Sequence, residues 1–394
     1  MARTLEDIAQ QLSTPRVVRK TIPERTRVVE ENRPVPKVQL IYAFNGTGKT
    51  RLSRAFKQLI APKNGHDGED ELLSRNKILY FSAFTEDLFY WDNDLAGDAE
   101  PKLKIQPNSF TNWLLTFLKD QGLDGNIVRH FQHYAGDKLT PHFSLDFSEV
   151  TFSLERGDDE HSGNLKISRG EESNFIWSIF YTLLDLVVTV LNTADPEERD
   201  DRQFDGLEYI FIDDPVSSLD ENHLIELAVS LAGLIKSSQS ALKFIITTHS
   251  PLFYNVLYNE LNSKTCYLLE RFDDGTFSLT EKNGDSNKSF SYHLHLKDII
   301  EQAIASNQIQ KYHFTLLRNL YEKTASFLGY PKWSELLPDD KQAYLNRIIQ
   351  FTSHSTLSNE AVNVPSEPEK RTVALLLNHL ITHYSFWQQE EQNG

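Results

Sequence analysis

The chain has 394 residues, of which 39% are hydrophobic and 24% are charged, and this composition is that of a globular protein rather than a disordered one. Lysine and arginine number 40 against 56 aspartates and glutamates, so the formal charge of −16 argues against indiscriminate nucleic-acid binding through a generally basic surface. The single cysteine, Cys266, excludes an internal disulfide and a cysteine-rich zinc site, and it is typical of a protein of the reducing cytoplasm.

The first 36 residues predict a short amphipathic helix and then a charged, proline-punctuated lead-in. The opening MARTLEDIAQQLSTPRVVRK has no apolar core between its charges, so it is not a secretory signal, and a cytoplasmic location is expected. A strand is predicted over 37–42, followed by a glycine-rich turn and a helical pattern. This order of strand, loop and helix is the context that a phosphate-binding loop requires.

The loop AFNGTGKT, residues 43–50, matches a phosphate-binding loop except at its first position, where Ala43 replaces glycine. Its glycines let backbone N–H groups turn toward nucleotide phosphates. Lys49 is expected to reach the β and γ phosphates, and Thr50 to ligate Mg²⁺ at the start of a helix. The predicted nucleotide-binding residues of the loop are Asn45, Gly46, Gly48, Lys49 and Thr50.

A second nucleotide-binding element is predicted where a buried strand ends in two acids. The strand-like run EYIFIDD covers 208–214 and resembles a Walker B motif. Asp213 is expected to hold the Mg²⁺ shell, and Asp214 to polarise the attacking water in place of the usual glutamate. Because Asp214 is one methylene shorter than glutamate, slow hydrolysis is expected, which suits a switch better than a motor.

Three short motifs resemble those of ABC-type ATPases. ISRGEE at 167–172 resembles the signature motif, SSLD at 217–220 resembles the D-loop, and His249 in THS resembles the switch histidine. In ABC proteins the signature of one subunit contacts the nucleotide held by the opposite subunit. The resemblance therefore implies a homodimer, or a higher homo-oligomer, in which Ser168 and Gly170 reach the γ-phosphate bound to another copy.

The lengths of the segments between and after these motifs argue against two classes of ABC protein, the transporter subunits and the DNA-repair proteins. The longest apolar run, Phe175 to Leu191, is barely long enough to span a bilayer and carries Asp185, so a buried helix is expected and no membrane partner. Transporter subunits usually end soon after the switch histidine, whereas 145 residues follow it here (394 − 249). DNA-repair members insert hundreds of coiled-coil residues before the signature, but here the gap is 118 residues (168 − 50) without sustained heptads.

The C-terminal third is therefore expected to hold the remaining chemistry. Its segment 282–332 carries seven lysines and arginines against four aspartates and glutamates, a net charge of +3, together with many aromatic residues. Such a mixture is typical of single-stranded RNA binding, although a solvated helical surface with its own core aromatics has the same composition. The predicted domains are a lead-in over 1–36, an α/β NTPase over 37–265, and a mainly helical domain over 266–394.

Two positions in this third stand four apart, on one face of a predicted helix: Arg318 and Glu322. With His354 further on, they could cleave RNA, since histidine and glutamate can serve as acid and base on a ribose 2′-hydroxyl while arginine neutralises the phosphorane. No metal is required, because the 2′-hydroxyl is the nucleophile, and the products are a 2′,3′-cyclic phosphate and a 5′-hydroxyl. Pairs of this kind are also common as surface salt bridges.

Longer segments resemble one family, the bacterial anticodon nucleases of the PrrC type, over nearly the whole chain. The resemblance implies an antiphage RNase, or toxin, that cuts lysine tRNA 5′ to the wobble base with the catalytic set Arg318, Glu322 and His354. It also implies membership of the HEPN ribonucleases, whose arginine-to-histidine pattern is met by Arg347 and His354. Arg318 is favoured as the catalytic arginine because it shares a helix face with Glu322, and Arg347 is the second candidate. The segments are YAFNGTGKTRLSR (42–54), FTEDLFYWDNDL (84–95), GDSNKSFSYHLHLK (284–297), HFTLLRNLYEKTASFLGYPKWSELLPDD (313–340) and FTSHSTLSNEAV (351–362).

The resemblance further implies how such a nuclease is controlled. Asp285 falls in the family's region of contact with the wobble base. Occupancy of the NTPase by ATP, GTP or dTTP with Mg²⁺ gates the nuclease, which a type I restriction-modification complex silences and a phage-encoded peptide releases. Segment 84–95 lies where ABC proteins have their Q-loop, yet it contains no glutamine. The rival hypothesis is an ABC-type DNA-binding or repair switch whose C-terminal domain only docks partners.

Overall fold

The computed structural model describes residues 3–22, 27–62, 76–82, 88–92, 101–154, 164–215, 219, 221–262, 265–272, 274–282, 292–352 and 365–384. The chain divides into two compact units, Met1–Ser289 and Phe290–Gly394. Each is described by itself.

The described residues of the first unit form an α/β fold. Its helices are α1 (Leu5–Ser13), α2 (Lys49–Ile60), α3 (Ser109–Asp120), α4 (Asp124–Ala135), α5 (Arg169–Asn192), α6 (Glu221–Ser237) and α7 (Pro251–Leu261). Its strands are β1 (Arg16–Ile22), β2 (Arg27–Arg33), β3 (Val38–Tyr42), β4 (Ile78–Ser82), β5 (Phe89–Asp92), β6 (Lys102–Ile105), β7 (Leu139–Phe143), β8 (Glu149–Leu154), β9 (Tyr209–Asp213), β10 (Lys243–Thr248), β11 (Cys266–Arg271) and β12 (Phe277–Lys282).

The central sheet has the strand order β12-β11-β3-β10-β9-β4. Its strands from β11 to β4 run parallel, and β12 pairs antiparallel with β11 at one edge. The apolar runs predicted as strands at 37–42 and 208–214 are β3 and β9. Together with β10 they are almost wholly buried, as strands of a covered parallel sheet are. Parallel pairing brings the carboxyl ends of these three strands to one edge of the sheet, which is where ligands bind in such folds.

The hairpin β11–β12 belongs to the first unit, although the sequence analysis began the second domain at 266. Cys266 and Leu268 lie opposite Leu40 and Tyr42 of β3, so the hairpin extends the central sheet. The Cys266 thiol is free and buried there. The predicted boundary after residue 265 thus falls before a hairpin that backbone hydrogen bonds hold to the first unit, and the structural division lies between 289 and 290.

The amphipathic helix predicted near the start of the chain is α1. Thr4 caps it through a reciprocal capping box with Asp7. Its apolar residues Leu5, Ile8 and Leu12 are buried where α1 packs against α2. The lead-in that follows forms the antiparallel hairpin β1–β2, which the sequence analysis did not predict.

Helix α5 contains the apolar run that the sequence analysis assigned to a buried helix. It packs with α4 beside a four-stranded antiparallel sheet of order β5-β6-β8-β7. Phe175 contacts Phe131 and Phe152, and Trp177 contacts Phe81. Among the described residues, α5 alone is long and apolar enough to cross a bilayer, but 78% of its most apolar stretch is buried inside the protein. The contacts are those of a core helix, as predicted.

The described residues of the second unit are mainly helical, as predicted for this part of the chain. Its helices are α8 (Tyr292–Ala305), α9 (Lys311–Leu328), α10 (Lys341–Thr352) and α11 (Glu367–His383), with a short 3₁₀ turn at Trp333–Leu336. Helix α9 packs against the other three helices and against the 3₁₀ turn. The side chains that form this core include Phe314, Leu317, Leu320, Tyr321, Leu336, Ile348, Leu376 and Leu380.

Candidate functional site

The phosphate-binding loop lies between β3 and α2. Gly46 and Gly48 have φ values of +80° and +113°, the left-handed region that suits glycine. A Cβ at Gly48 would also come within 3.3 Å of the Phe277 ring, so no larger residue fits there without displacement. Ala43 has no positive φ, and its N–H donates to the Thr248 carbonyl at 3.0 Å as β3 continues along β10. Glycine is therefore not needed at the one position where the loop departs from the pattern.

The Lys49 ammonium is enclosed by this loop, with only 7% of the side chain exposed. It donates to the backbone oxygens of Ala43 at 3.2 Å and Phe44 at 3.4 Å, and to Asn45 Oδ1 at 3.2 Å. Asp214 Oδ2 lies 3.3 Å from the same nitrogen. Nucleotide phosphates are stronger, charged acceptors than these carbonyl oxygens, so the geometry equips Lys49 to transfer its hydrogen bonds to them.

Asp213 ends β9 and is buried, with one oxygen satisfied and one not. Its Oδ1 accepts a hydrogen bond from the Thr247 hydroxyl at 2.6 Å, whereas Oδ2 is buried and has no partner within the described part of the chain. Burial raises the pKa of Asp213, against the opposing effect of the nearby Thr247 and Thr50 hydroxyls. A buried carboxylate oxygen without a partner, next to a threonine hydroxyl, fits Mg²⁺, which takes oxygen ligands and usually only one or two from the protein.

Asp214 follows Asp213 in a left-handed conformation, with φ of +55°. The His249 side chain donates from Nδ1 to its two oxygens, at 2.7 and 2.8 Å, and the His249 backbone N–H donates to Oδ1 at 3.2 Å. Burial by itself would raise the pKa of Asp214, but the hydrogen bonds from His249 and the charge of Lys49 outweigh it and hold the pKa below the ordinary value. A carboxylate held ionised in this way orients a water well but accepts a proton weakly.

We expect the Asp214→Asn protein to bind nucleotide normally but to hydrolyse it about 10²-fold more slowly or worse, because an amide cannot accept a proton from water. Phosphate release and fluorescent-nucleotide binding measure the two quantities. As a matched control, Asp213→Asn should instead reduce the Mg²⁺ dependence of binding. Unchanged hydrolysis by the Asp214→Asn protein would assign activation of the water to another group.

The signature-like motif forms the first turn of α5. The Ser168 hydroxyl caps the helix by accepting from the Glu171 N–H at 3.3 Å, and the Glu171 carboxylate accepts from the Ser168 N–H at 2.7 Å. In this single copy of the chain, the Ser168 residue is exposed to solvent and Gly170 is half-buried. Across the described ranges no hydrogen bond or ion pair links either residue to Lys49, Asp213, Asp214 or His249. The D-loop residues Ser217, Ser218 and Asp220 lie outside the described residues.

Segment 84–95, to which the sequence analysis gave no role, is described over 88–92 and contacts the signature helix. Trp91 on β5 donates from Nε1 to Glu172 Oε2 at 2.9 Å, and Arg169 donates to Glu172 Oε1 at 3.0 Å. Glu172 is buried. Sequence reasoning gave no separate role to this buried acid, and its place as the last residue of the signature-like motif was the signal that could have identified it.

In the second unit, the structure brings together Arg318 and Glu322. Arg318 Nε donates to Glu322 Oε1 at 2.7 Å, each side chain is 37% exposed, and the guanidinium lies 6.0 Å from the centre of the Trp333 ring. The ring and the carboxylate hold the guanidinium at the surface of α9. His354 and Asp285 lie outside the described residues, and Arg347 lies on α10 with its side chain outside the description.

A parallel sheet with a phosphate-binding loop after β3, two acids at the end of β9 and a histidine after β10 defines the first unit as a P-loop NTPase of the ABC type. No protein-family profile matches the chain. It is 73% identical over 400 residues to an anticodon nuclease from Escherichia coli, and the alignment covers the whole of both chains. The chain belongs to the anticodon nuclease family.

Solved structures to which the chain is similar include SMC heads and an ABC transporter subunit, all at low TM-scores. An Smc head bound to the C-winged helix domain of ScpA is 11% identical over 66% of this chain and 95% of its own, with a TM-score of 0.33. The cbiO1 subunit of a Clostridium perfringens ABC transporter complex is 11% identical over 73% of this chain and 92% of its own, also with a TM-score of 0.33. The SMC head domain from Thermotoga maritima is 11% identical over 68% of this chain and 98% of its own, with a TM-score of 0.32.

Proposed function

We propose that the chain is a nucleotide-gated endoribonuclease that cleaves lysine tRNA in the anticodon loop, 5′ to the wobble base. The observation that carries the proposal is the 73% identity, over the full length of both chains, to an anticodon nuclease. The contact between Arg318 and Glu322 supports placing RNA cleavage at this pair on α9. Both side chains are partly exposed, and RNA must reach the reacting groups from solvent.

The proposed cleavage is an attack of the ribose 2′-oxygen on the adjacent phosphorus. Of Glu322 and His354, one takes the proton from the 2′-hydroxyl and the other gives a proton to the departing 5′-oxygen. Arg318, positioned by its hydrogen bond to Glu322, neutralises the charge that develops on the phosphorane oxygens. The P–O5′ bond breaks, leaving a 2′,3′-cyclic phosphate on one fragment and a 5′-hydroxyl on the other. Arg347 is the alternative source of the positive charge.

The first unit serves in this proposal as the gate. Lys49 and the loop N–H groups bind the phosphates of ATP, GTP or dTTP, and Thr50 with Asp213 holds the Mg²⁺, which neutralises charge on the phosphates when bound. Ser168 and Gly170, which no hydrogen bond links to Lys49, Asp213, Asp214 or His249 within one copy, complete the site of a second copy in a homodimer. Asp214→Asn, which should slow hydrolysis, is expected to convert the protein to a larger species in the presence of nucleotide, as gel filtration can measure.

The biological setting follows from the same proposal. The protein acts in the cytoplasm as an antiphage defence, silenced by a type I restriction-modification complex and released by a phage-encoded peptide. Asp285 reads the wobble base, where its carboxylate pairs with a cationic substituent of a modified uridine.

The proposal is tested by incubating the purified full-length protein with total bacterial tRNA and nucleotide, and then mapping new 5′-hydroxyl ends. One new end in lysine tRNA, 5′ to the wobble base, is the expected result. Nucleotide hydrolysis without any cut tRNA would contradict the nuclease and favour an ABC-type switch that docks partners through its second unit.

A further inference from the structure

Three polar residues form one row at the carboxyl edge of the central sheet. Ser82 ends β4, Asp213 ends β9, and Thr247 is one residue before the end of β10. In the parallel register, Asp213 pairs with Ser82 on one side and with Thr247 on the other. Neighbouring strands lie about 4.8 Å apart, so each hydroxyl residue is a single strand spacing away from the Asp213 backbone.

Ser82 and Asp213 lie on the face of the sheet that α2 covers. Side chains alternate between the two faces of a strand, so Ser82 shares a face with Tyr80, two residues before it. Asp213 shares a face with Phe211 in the same way. Tyr80 and Phe211 are paired in register with their ring centres 6.2 Å apart, and the Phe211 ring lies 5.7 Å from that of Phe56 on α2. The two edge residues therefore face the helix that begins at the phosphate-binding loop.

The Asp213 carboxylate bonds to only one of its two hydroxyl neighbours. Thr247 donates to Oδ1 at 2.6 Å, whereas Oδ2 is buried and accepts from no group in the described part of the chain. Ser82 is also buried, with 4% of the residue exposed, yet it does not donate to Oδ2. A buried acceptor beside a hydroxyl group normally takes its proton, because leaving the acceptor unpaired costs free energy. The Ser82 proton therefore points elsewhere.

Hydrogen bonds on the other side of Ser82 account for the direction of its proton. The Ser53 hydroxyl donates to the Thr50 carbonyl at 2.8 Å, and since it has one proton it accepts at its 2.8 Å contact with the Tyr80 hydroxyl. Tyr80 has then given its own proton and can only accept from the nearby Ser82 hydroxyl. Burial and the charge of Asp213 raise the pKa of Tyr80, while the Ser82 hydroxyl opposes the rise, so both groups lie close to Tyr80.

This arrangement leaves oxygen lone pairs from two adjacent strands on one face of the sheet edge. Asp213 Oδ2 has no donor, and a Ser82 hydroxyl that gives its proton to Tyr80 keeps its lone pairs for another ligand. Ser82 is too deeply buried for a macromolecule to contact its side chain. A hard cation fits instead, since Mg²⁺ binds oxygen and is held by a few protein groups together with phosphates and water.

We propose that Ser82 supplies a further oxygen to the coordination shell of the Mg²⁺ that accompanies the nucleotide, an inference that rests on the proposed Mg²⁺ site of Thr50 and Asp213. The site then draws on two adjacent strands and on α2. Tyr80 and Ser53 act as positioning residues, because they direct the Ser82 proton away from the ion. Loss of the Ser82 hydroxyl should weaken the binding of nucleotide with Mg²⁺ and leave the binding of bare nucleotide unchanged.

The test measures the affinity of the full-length protein for a fluorescent ATP analogue in EDTA and in Mg²⁺. The ratio of the two dissociation constants reports what Mg²⁺ contributes to binding, without requiring hydrolysis. Ser82→Ala should bind normally in EDTA, which also shows that the variant is folded, but its ratio should fall by about 10-fold or more, as in other metal sites that lose one supporting group. Ser178→Ala is the matched control, since it removes a buried serine hydroxyl that bonds within α5.

Ser82→Cys separates ligation of the ion from the shape of the site. A thiol is similar in size to a hydroxyl group but favours soft metals such as Cd²⁺ over Mg²⁺. The Ser82→Cys protein should lose the effect of Mg²⁺ on nucleotide binding and regain it with Cd²⁺, whereas Cd²⁺ should not restore Ser82→Ala.

The outcomes distinguish the role of Ser82 from the Mg²⁺ site itself. If Ser82→Ala keeps the ratio of Ser178→Ala, or if Ser82→Cys gains nothing from Cd²⁺, the assignment of Ser82 is wrong. If the unsubstituted protein binds nucleotide equally well in EDTA and in Mg²⁺, the proposed Mg²⁺ site of Thr50 and Asp213 fails.

Discussion

Alanine in place of Arg318 is expected to lower tRNA cleavage by about 10²- to 10³-fold while nucleotide hydrolysis stays at its normal rate. The guanidinium supplies the positive charge that the phosphorane needs, and the substitution removes it. Fold stability should change by only about 0 to 1 kcal/mol, because the Arg318–Glu322 pair lies at the surface, where ion pairs contribute little. Gel-based cleavage rates and thermal melting of the same preparations measure both effects.

Glu322→Gln and His354→Ala should cause losses of about 10²- to 10⁴-fold, as the removal of a general acid or base does. The decisive comparison is with Arg347→Ala, in which the arginine favoured by the HEPN pattern is removed. If Arg347→Ala abolishes cleavage and Arg318→Ala does not, the choice of Arg318 is wrong. If all of these variants cut normally, the second unit is not the nuclease.

Alanine in place of Lys49 is expected to lower nucleotide hydrolysis by about 10²- to 10³-fold, the scale of losing one preorganised donor to a developing charge. Binding should weaken as well, because Lys49 is the buried cation that the loop directs toward the phosphates. Regulated tRNA cleavage should be lost together with nucleotide binding. Equilibrium binding, phosphate release and tRNA cleavage measured on one preparation test all three.

Lys57→Ala serves as the control for Lys49→Ala, since Lys57 lies on the same helix but faces the Tyr80 ring. It should leave nucleotide binding unchanged. Normal binding and hydrolysis by the Lys49→Ala protein would contradict the assignment of the loop.

Sequence reasoning located the parts of the molecule that depend on local pattern. The phosphate-binding loop between β3 and α2 was predictable because a strand, two glycines and a lysine at a helix start are adjacent in sequence. The contact between Arg318 and Glu322 was predictable because residues four apart on a helix are neighbours. Burial of α5 was predictable because its apolar run is barely long enough to span a bilayer and carries Asp185.

Contacts between distant segments were not predictable in this way. Pairing of β11 with β3 joins residues more than 200 positions apart in the chain. The residue pattern of one strand does not indicate which other strand it will pair with. The bond from Trp91 to Glu172 likewise joins two separate parts of the first unit. The pKa of Asp214 depends on His249 and Lys49, which only the folded sheet brings to one edge.

The hairpin β11–β12 also fixes an order of events during synthesis. Every strand of the central sheet precedes residue 283, and the unit that carries Arg318 and Glu322 begins only at 290. Domains fold as units while the chain is made from its N-terminus, at about 5 to 20 residues per second. All strands of the nucleotide-binding unit are therefore synthesised before the ribosome reaches the codon for Arg318. The proposed gate can fold before the nuclease that it controls exists.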